Sequence, residues 1–257
     1  MRIMTLNIWG EYFGNPVPER IDDMENTIRK YDADILGIQE VCRIWYGSNF
    51  LERLSNKYIA ILPFRGNYTV LLFKKDMFSV WEQGFKMYEN TPVRQWKCVN
   101  WAVLIHKETG KRIGVINTHA WPGGSEEGEK IRESNGKELA ATMHMIKEKY
   151  PGIPVVAFGD LNGGEEGALI KTLHENGIVS AYEVAEEFSE VSSHHGDPVR
   201  NPDGTWTGKR TENDKTKSLD HIVIFKDDIK IKKHHVVEDQ EIINVTDHSP
   251  VYIDFDF

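Results

Sequence analysis

Six short polar motifs stand at the ends of strand-like apolar runs in this chain. They are Thr5-Leu6-Asn7, Gln39-Glu40-Val41, Asn117-Thr118-His119, Gly159-Asp160-Leu161-Asn162, Ser218-Leu219-Asp220-His221 and Thr246-Asp247-His248-Ser249-Pro250-Val251. Side chains placed where buried strands emerge can converge on one small volume. Carboxylate and carboxamide oxygens are the ligands that hard divalent cations prefer. The motifs therefore predict a metal-dependent hydrolytic site.

Asp160 and Asn162 lie two residues apart after the apolar run 155–158. This spacing can direct both side chains to the same side of an extended segment. A carboxylate there can accept a proton from water, and a carboxamide can orient water or a phosphoryl oxygen. The alternative is that this stretch forms only an Asx-type turn.

Glu40 follows the apolar run 35–38. A carboxylate that emerges from a buried strand needs a partner, because an unpaired buried charge is costly. A cation is a natural partner here. The alternative is that Glu40 merely caps a loop.

In their order and separations, the six motifs resemble the endonuclease/exonuclease/phosphatase superfamily, whose relatives include deoxyribonuclease I, exonuclease III, inositol polyphosphate 5-phosphatases and neutral sphingomyelinases. The resemblance covers residues 2–257. It implies a deoxyribonuclease I-like fold, a four-layered α/β sandwich of two packed mixed sheets flanked by helices. It also implies phosphoester cleavage that depends on Mg²⁺, for which Mn²⁺ can substitute. Members differ widely in substrate, so the resemblance implies none in particular.

The resemblance assigns the metal ligands and the group that activates the nucleophile. Glu40 would be the principal Mg²⁺ ligand, Asn7 would support the metal shell, and Asp247 would bind the metal or anchor the site. Asp160 and Asn162 would be the pair that activates the attacking water.

Two histidines and an arginine are the expected phosphate contacts. The resemblance pairs His248 with Asp220, and a carboxylate fixes the tautomer of an imidazole and makes it more basic. His119 would contact another phosphoryl oxygen; the alternative is a core histidine at the end of a strand. Arg94 precedes a strand at a place where relatives often carry an arginine that faces phosphate.

One departure from the repair enzymes of this superfamily narrows the expected activity. Those enzymes usually carry a Trp-Asn pair on the first strand and a site tyrosine, where this chain has Leu6-Asn7-Ile8-Trp9-Gly10 and His119. We therefore do not expect apurinic endonuclease activity. The opening is more similar to that of neutral sphingomyelinases, although no membrane anchor accompanies it. A nuclease acting on DNA or RNA, a sphingomyelinase-like phosphodiesterase and a catalytically silent binding module remain alternatives.

Aromatic residues follow several of the motifs. Trp9, Trp121 and Trp206 occur in segments next to the predicted strand ends and are candidate substrate contacts, and Trp45 follows Glu40. Stacking of a base on such a ring is worth about 1–3 kcal/mol. The alternative is that the tryptophans pack on one another and stiffen long loops.

The chain has 31 Lys and Arg against 40 Asp and Glu, a net charge of −9. Proteins that follow a duplex usually present a basic surface, so the charge favours a compact phosphorylated ligand over long DNA, with nucleic acid as the other substrate class.

No feature indicates a protein partner. No apolar run is long enough to span a membrane. The first strand leaves no room for a signal peptide unless one has been removed, and the two cysteines, Cys42 and Cys98, lack metal-ligand spacing, so we expect a cytoplasmic protein.

The elements that must position these residues can be read from periodicity. We expect one catalytic domain over 1–257, since the motifs span nearly the whole chain and must meet. Helices are predicted near 21–31, 126–150 and 166–176, and irregular loops at 85–97 and 187–217. The predicted strands are 3–8, 34–38, 58–62, 69–73, 78–83, 99–106, 112–118, 155–158, 221–225, 229–237 and 251–257.

Overall fold

A computed structural model of the chain describes residues 1–11, 15–64, 66–92 and 97–257. Within these ranges the strands are β1 (Arg2–Asn7), β2 (Ile35–Gln39), β3 (Tyr58–Ile61), β4 (Val70–Lys74), β5 (Phe78–Met87), β6 (Cys98–His106), β7 (Arg112–His119), β8 (Val155–Asp160), β9 (Ile178–Ser180), β10 (Glu187–Phe188), β11 (Val199–Arg200), β12 (Trp206–Thr207), β13 (Asp220–Phe225), β14 (Ile231–Val236) and β15 (Val251–Phe255). The α-helices are α1 (Ile21–Tyr31), α2 (Arg43–Gly47), α3 (Phe50–Leu54), α4 (Glu126–Lys149), α5 (Ala168–Glu175), α6 (Ala181–Val184) and α7 (Gln240–Ile243). Single 3₁₀ turns cover Val17–Glu19 and Lys215–Lys217.

The strands form two large mixed sheets and a small hairpin. The first sheet has the order β10-β14-β15-β1-β2-β4-β3, and the second has the order β5-β6-β7-β8-β13-β9. β1 and β2 are parallel in the first sheet, as β7 and β8 are in the second. β11 and β12 pair separately. The carboxyl ends of parallel neighbours lie at the same edge of a sheet, which is how residues distant in sequence can meet.

Three apolar layers hold the four layers of secondary structure together. The middle layer lies between the sheets and includes Ile35, Leu104 and Phe158. The outer layer on the first sheet packs against α1 through residues such as Met24. The outer layer on the second sheet packs against α4 and α5 through residues such as Leu139. The predicted four-layered sandwich of two mixed sheets flanked by helices is therefore confirmed.

Each predicted strand and helix has a counterpart, but several boundaries and short elements differ. β5 continues to Met87, so the loop predicted at 85–97 begins inside a strand. The loop predicted at 187–217 contains β10, β11 and β12. Helices of four or five residues are too short to show a helical period, which is why α2, α3, α6 and α7 were not predicted. No helix within the described ranges is long and apolar enough to cross a membrane.

A buried asparagine joins the two sheets. Asn117, on β7 of the second sheet, donates from Nδ2 to the carbonyls of Val70 (2.7 Å) and Ile38 (3.1 Å) in the first sheet. Its Oδ1 accepts a hydrogen bond of 2.7 Å from Nε2 of Gln39. Gly37 makes room for this contact, because a Cβ there would lie 2.6 Å from Oδ1 of Asn117. These hydrogen bonds join the two sheets next to Glu40, which directly follows Gln39.

We expect Asn117→Ala to destabilise the fold. The substitution removes the donor of two buried backbone carbonyls, so we expect a loss of about 2–4 kcal/mol in the free energy of unfolding, measured by urea titration. The matched control is Asn213→Ala, because Asn213 is exposed and should change stability little. Equal stability of the two variants would show that the link between the sheets is dispensable.

Candidate active site

The polar motifs converge at one edge of the sandwich. β7 and β8 end there together, with His119 opposite Asp160 in the parallel register. β13 runs antiparallel to β8 and therefore starts there, with Asp220 opposite Asp160. Asn7 ends β1 of the first sheet at the same edge. The candidate site is thus shared by both sheets.

Asp160 lies at the centre of the contacts. Its Oδ2 accepts a hydrogen bond of 3.0 Å from Nδ2 of Asn7 and lies 3.3 Å from Nε2 of His119. The same oxygen is 4.0 Å from Nε2 of His248. Oδ1 accepts the backbone N–H of Asn162 at 2.9 Å. Asp160 is buried, so its charge is sensitive to these neighbours.

The surroundings of Asp160 keep its carboxylate ionised. Burial by itself would raise the pKa of this carboxyl, but His119, His248 and Lys97 hold the pKa well below its usual range. A carboxylate with so low a pKa is a weak base. Asp160 is therefore suited to orient a water molecule and to balance the charge of nearby cations.

His248 and Asp220 form a buried ion pair. Nδ1 of His248 is 2.7 Å from Oδ2 of Asp220. Burial alone would lower the pKa of His248, but Asp220, Asp247 and Asp160 raise it well above its ordinary value. The imidazole is therefore held as a cation, with Nε2 4.0 Å from Oδ2 of Asp160 and 3.9 Å from Oδ2 of Asp247.

The opposite side of the site is rich in carboxylates. The pKa of Asp247 is raised to about 7, chiefly by burial, with Glu40 and Asp197 acting in the same direction and His248 opposing them. Oε2 of Glu40 accepts the backbone N–H of Gly10 at 2.7 Å. This concentration of negative charge is the environment in which a divalent cation would be stabilised.

Two groups of three ligand-type side chains occur within the described residues. Asp160, Asp220 and His248 form one group, and His194, Asp247 and His248 form the other, with potential ligand atoms within 4.8 Å of one another. Oδ1 of Asp220 is buried without a hydrogen-bond partner, and an unpartnered buried acceptor needs a cation, a donor or water. Glu40 belongs to neither group and is connected to the site through Gly10.

Three residues at the ends of site strands have backbone conformations that most residues avoid. Trp9 (φ 55°), Glu40 (φ 63°) and Asn162 (φ 52°) all lie in the left-handed region. This conformation is uncommon for tryptophan and glutamate, and such strain persists where the surrounding structure imposes it. Each sharp turn directs the chain away from the sheet immediately after a site residue.

The Asx turn considered as an alternative for the Asp160 motif is present. Asp160 accepts from the N–H of Asn162, and Nδ2 of Asn162 donates to the carbonyl of Ala120 at 3.0 Å. The turn and the site therefore coexist, because the same hydrogen bonds that form the turn place Asn162 beside Asp160.

The tryptophans differ in position. Trp9 is buried and meets the edge of Trp206 at a centroid distance of 5.7 Å, the mutual packing considered as an alternative to a substrate rim. Trp206 and Trp121 are partly exposed, whereas Trp45 is completely buried in the outer core. Arg94 lies outside the described residues.

His194 and Lys97 lie near the site, although no sequence motif identified them. The ring of His194 packs edge-on against His248 at 4.9 Å. Lys97 is buried, and burial lowers its pKa to about 8 despite the opposing influence of Asp160 and Glu40. The sequence signals were slight: a His-His pair in a long loop and a lysine directly before an apolar strand.

Ser193 joins the segments that carry Asp220 and His248. Its Oγ accepts the backbone N–H groups of Leu219 (3.1 Å) and Asp220 (2.9 Å). Its carbonyl accepts the N–H of Ser249 at 2.7 Å. Because Ser249 follows His248 directly, one buried serine sets the distance between the two members of the ion pair.

His221 fastens the turn after Asp160 to the same region. Its Nε2 lies 2.8 Å from the carbonyls of both Gly163 and Ser218. Glu165 stands behind the ring, with Oε1 3.6 Å from Nδ1 of His221 and 2.9 Å from Nζ of Lys215. These contacts connect the segment that carries Asn162 to the start of β13.

The model of the Endonuclease/Exonuclease/phosphatase family matches residues 4–248. No curated protein sequence matches the chain significantly.

Solved structures of similar fold cover nearly the whole chain. A mannosyl-6-phosphatase of Bacteroides thetaiotaomicron is 18% identical, covers 100% of both chains and superposes with a TM-score of 0.79. An endonuclease/exonuclease/phosphatase of Bacteroides vulgatus is 22% identical, with 99% of this chain and 98% of that chain covered and a TM-score of 0.78. The human Nocturnin catalytic domain with a bound sulfate anion is 20% identical, with 100% and 94% covered and a TM-score of 0.75.

We expect Ser193→Ala to loosen the site as well as the fold. The change leaves the buried N–H groups of Leu219 and Asp220 without their acceptor, which should cost about 2–3 kcal/mol in urea unfolding. The adjacent Ser192→Ala is the matched control, because the hydroxyl of Ser192 is equally buried and has no hydrogen-bond partner among the residues that the structure describes. If Ser192→Ala destabilised the protein as much as Ser193→Ala, the inferred role of Ser193 would be wrong.

Proposed function

Because the chain belongs to the endonuclease/exonuclease/phosphatase family, whose members are phosphoester hydrolases, we propose that it is a Mg²⁺-dependent phosphoesterase that acts on a compact phosphorylated ligand. The observation that carries the proposal is the buried set in which Asp160 contacts Asn7 and His119, beside the pair of His248 and Asp220. An anionic carboxylate next to imidazoles is suited to a phosphoryl group and an attacking water.

The side chains at the acidic side of the site fit a hard divalent cation. Glu40, Asn7 and Asp247 offer oxygen donors, and the pKa of Asp247 is raised chiefly by burial and also by the carboxylates of Glu40 and Asp197. We assign these three residues as ligands of Mg²⁺, with Mn²⁺ as a substitute. When bound, such an ion neutralises phosphoryl oxygens and lowers the pKa of water.

Asp160 and Asn162 orient the water for attack in line with the leaving oxygen. The anionic carboxylate of Asp160 accepts a hydrogen bond from the water and so directs the water oxygen toward phosphorus. A cation bound at the site would make that water more acidic. Asn7 and the backbone of Asn162 hold the carboxylate in one orientation. Orientation by fixed groups removes much of the entropic cost of the reaction.

His248 and His119 balance the charge that develops on the phosphoryl group. Asp220 keeps the His248 ring charged and fixes its tautomer, with Nδ1–H donating to the carboxylate. Nε2 of His248 then faces the centre of the site. His119 contacts Asp160 from the other side and can donate to a second phosphoryl oxygen.

Two features support a small ligand. The net charge of −9 disfavours binding along a duplex. Among the similar structures, one is named a mannosyl-6-phosphatase. We place the reacting phosphate at Asp160 and His248 and assign the partly exposed Trp121 and Trp206 to the rim.

The proposal is tested by hydrolysis assays with Mg²⁺ on a model phosphodiester, sugar phosphates, nucleotides, sphingomyelin, RNA and DNA. We expect small phosphoesters to be hydrolysed faster than duplex DNA. Glu40→Gln keeps the shape of the side chain but removes its charge, so Mg²⁺ affinity should fall and turnover should drop by orders of magnitude. Full activity of Glu40→Gln in a chelator would refute the metal assignment, and a large preference for duplex DNA would refute the substrate class.

Asp220 and His248 should behave as one unit in a double-mutant cycle. Each single alanine substitution should lower kcat strongly, and the double variant should lose little more than the worse single variant, as for residues that act together. Turnover of the best small phosphoester provides the measurement. Losses that multiply in the double variant would mean that the two residues act independently.

A further inference from the structure

A cleft of about 550 Å³ opens at α2, the helix that begins three residues after Glu40. It is lined by Arg43, Tyr46, Gly47, Gly66 and Tyr68. One wall is joined to the segment that carries Glu40, because the N–H of Val41 donates to the carbonyl of Tyr68 at 3.1 Å. The volume is in the usual range of small-molecule sites.

The walls of the cleft are fixed by the core beneath them. Trp45, within α2, is completely buried and packs against Phe50 at a centroid distance of 4.8 Å. Oη of Tyr46 donates to the carbonyl of Asn67 at 2.5 Å. A preformed wall loses little conformational freedom when a ligand binds. A Cβ at Gly47 would meet no atom within 4 Å, so that part of the cleft is open.

Arg43 supplies a positive charge that the protein itself does not neutralise. It is exposed, and within the described residues it has neither an ion pair nor a hydrogen bond. By contrast, Arg29 of α1 and Arg53 of α3 both pair with Glu25. A free guanidinium beside two tyrosines is suited to a planar or sugar ring that carries an anionic group, because arginine binds phosphate and carboxylate in a bidentate manner.

We propose that this cleft is a specificity subsite for a second anionic group of the substrate. Arg43 binds that group, and Tyr46 and Tyr68 contact the ring that connects the second anionic group to the reacting phosphate. The ligand class is a sugar or nucleoside with two phosphate groups. The inference rests on the proposed function, since it places the reacting phosphate at Asp160 and His248.

Binding of matched pairs of ligands tests the subsite. Glucose 1,6-bisphosphate is compared with glucose 6-phosphate, and adenosine 3′,5′-bisphosphate with adenosine 5′-monophosphate, by isothermal titration calorimetry of the full chain in Mg²⁺, with released phosphate measured alongside. In at least one pair the bisphosphate should bind about tenfold or more tightly, the range expected for a charged hydrogen-bonded pair. The pair with the larger difference identifies a sugar or a nucleoside.

Three variants separate the subsite from general electrostatics. Arg43→Ala should remove most of the preference for the bisphosphate while the monophosphate binds as before, and Arg43→Lys should restore part of it. Gly47→Gln should weaken binding of the bisphosphate, because the larger side chain fills part of the cleft. Lys226→Ala is the control, because this substitution also removes one positive charge. Lys226 follows the end of β13 that lies away from Asp220.

The outcomes distinguish this inference from the proposed function. Equal or undetectable binding within both pairs, or a preference that survives Arg43→Ala, would overturn the subsite even if small phosphoesters are hydrolysed. Equal effects of Arg43→Ala and Lys226→Ala would also overturn it. A preference that depends on Arg43 in a protein that hydrolyses no phosphoester would support the subsite and refute the catalytic proposal.

Discussion

The candidate site depends on buried hydrogen bonds that cross from one sheet to the other at a single edge of the sandwich. Apolar packing between the sheets is strong but non-directional, so it cannot by itself set the relative position of Asn7 and Asp160. The bond between these two residues and the bonds of Asn117 provide that direction. Gly37 is part of the same device, because any Cβ there would strike the ring of Phe158 at 2.5 Å.

A second constraint is that the site concentrates charge where water is scarce. Buried charges are tolerated when each has a partner, and the structure supplies them in pairs: His248 with Asp220 at the site and Lys215 with Glu165 behind it. Arg20 serves the surrounding loops in a different way. Arg20 is completely buried, and its guanidinium donates to backbone carbonyls of two segments that are distant in sequence. The acceptors include the carbonyls of Trp9 (2.6 Å) and Val245 (2.8 Å).

The centre of the site and its margins are built differently, which bears on how such a fold can serve different substrates. The central residues stand at the ends of strands and are held by several bonds each. The margins are loops and short elements: the hairpin of β11 and β12 is held to the first 3₁₀ turn by the pairing of Arg200 with Glu19, while α2 presents Arg43 to solvent. Functional variation concentrates on loops supported by a rigid scaffold, so we expect substrate choice to be determined at these margins.

The sequence by itself determined the fold class, the family and the main strands and helices, because apolar runs, helical periods and motifs at strand ends are local signals. Apart from the pairing of His248 with Asp220, which the family resemblance implied, tertiary structure alone decided which polar side chains meet. Ser193 and His194 lie in a stretch without a pattern, and only the pairing of that stretch with the His248 segment reveals them. Likewise Trp9 and Trp206 are nearly two hundred positions apart, so their mutual packing depends on long-range contacts that no local pattern encodes.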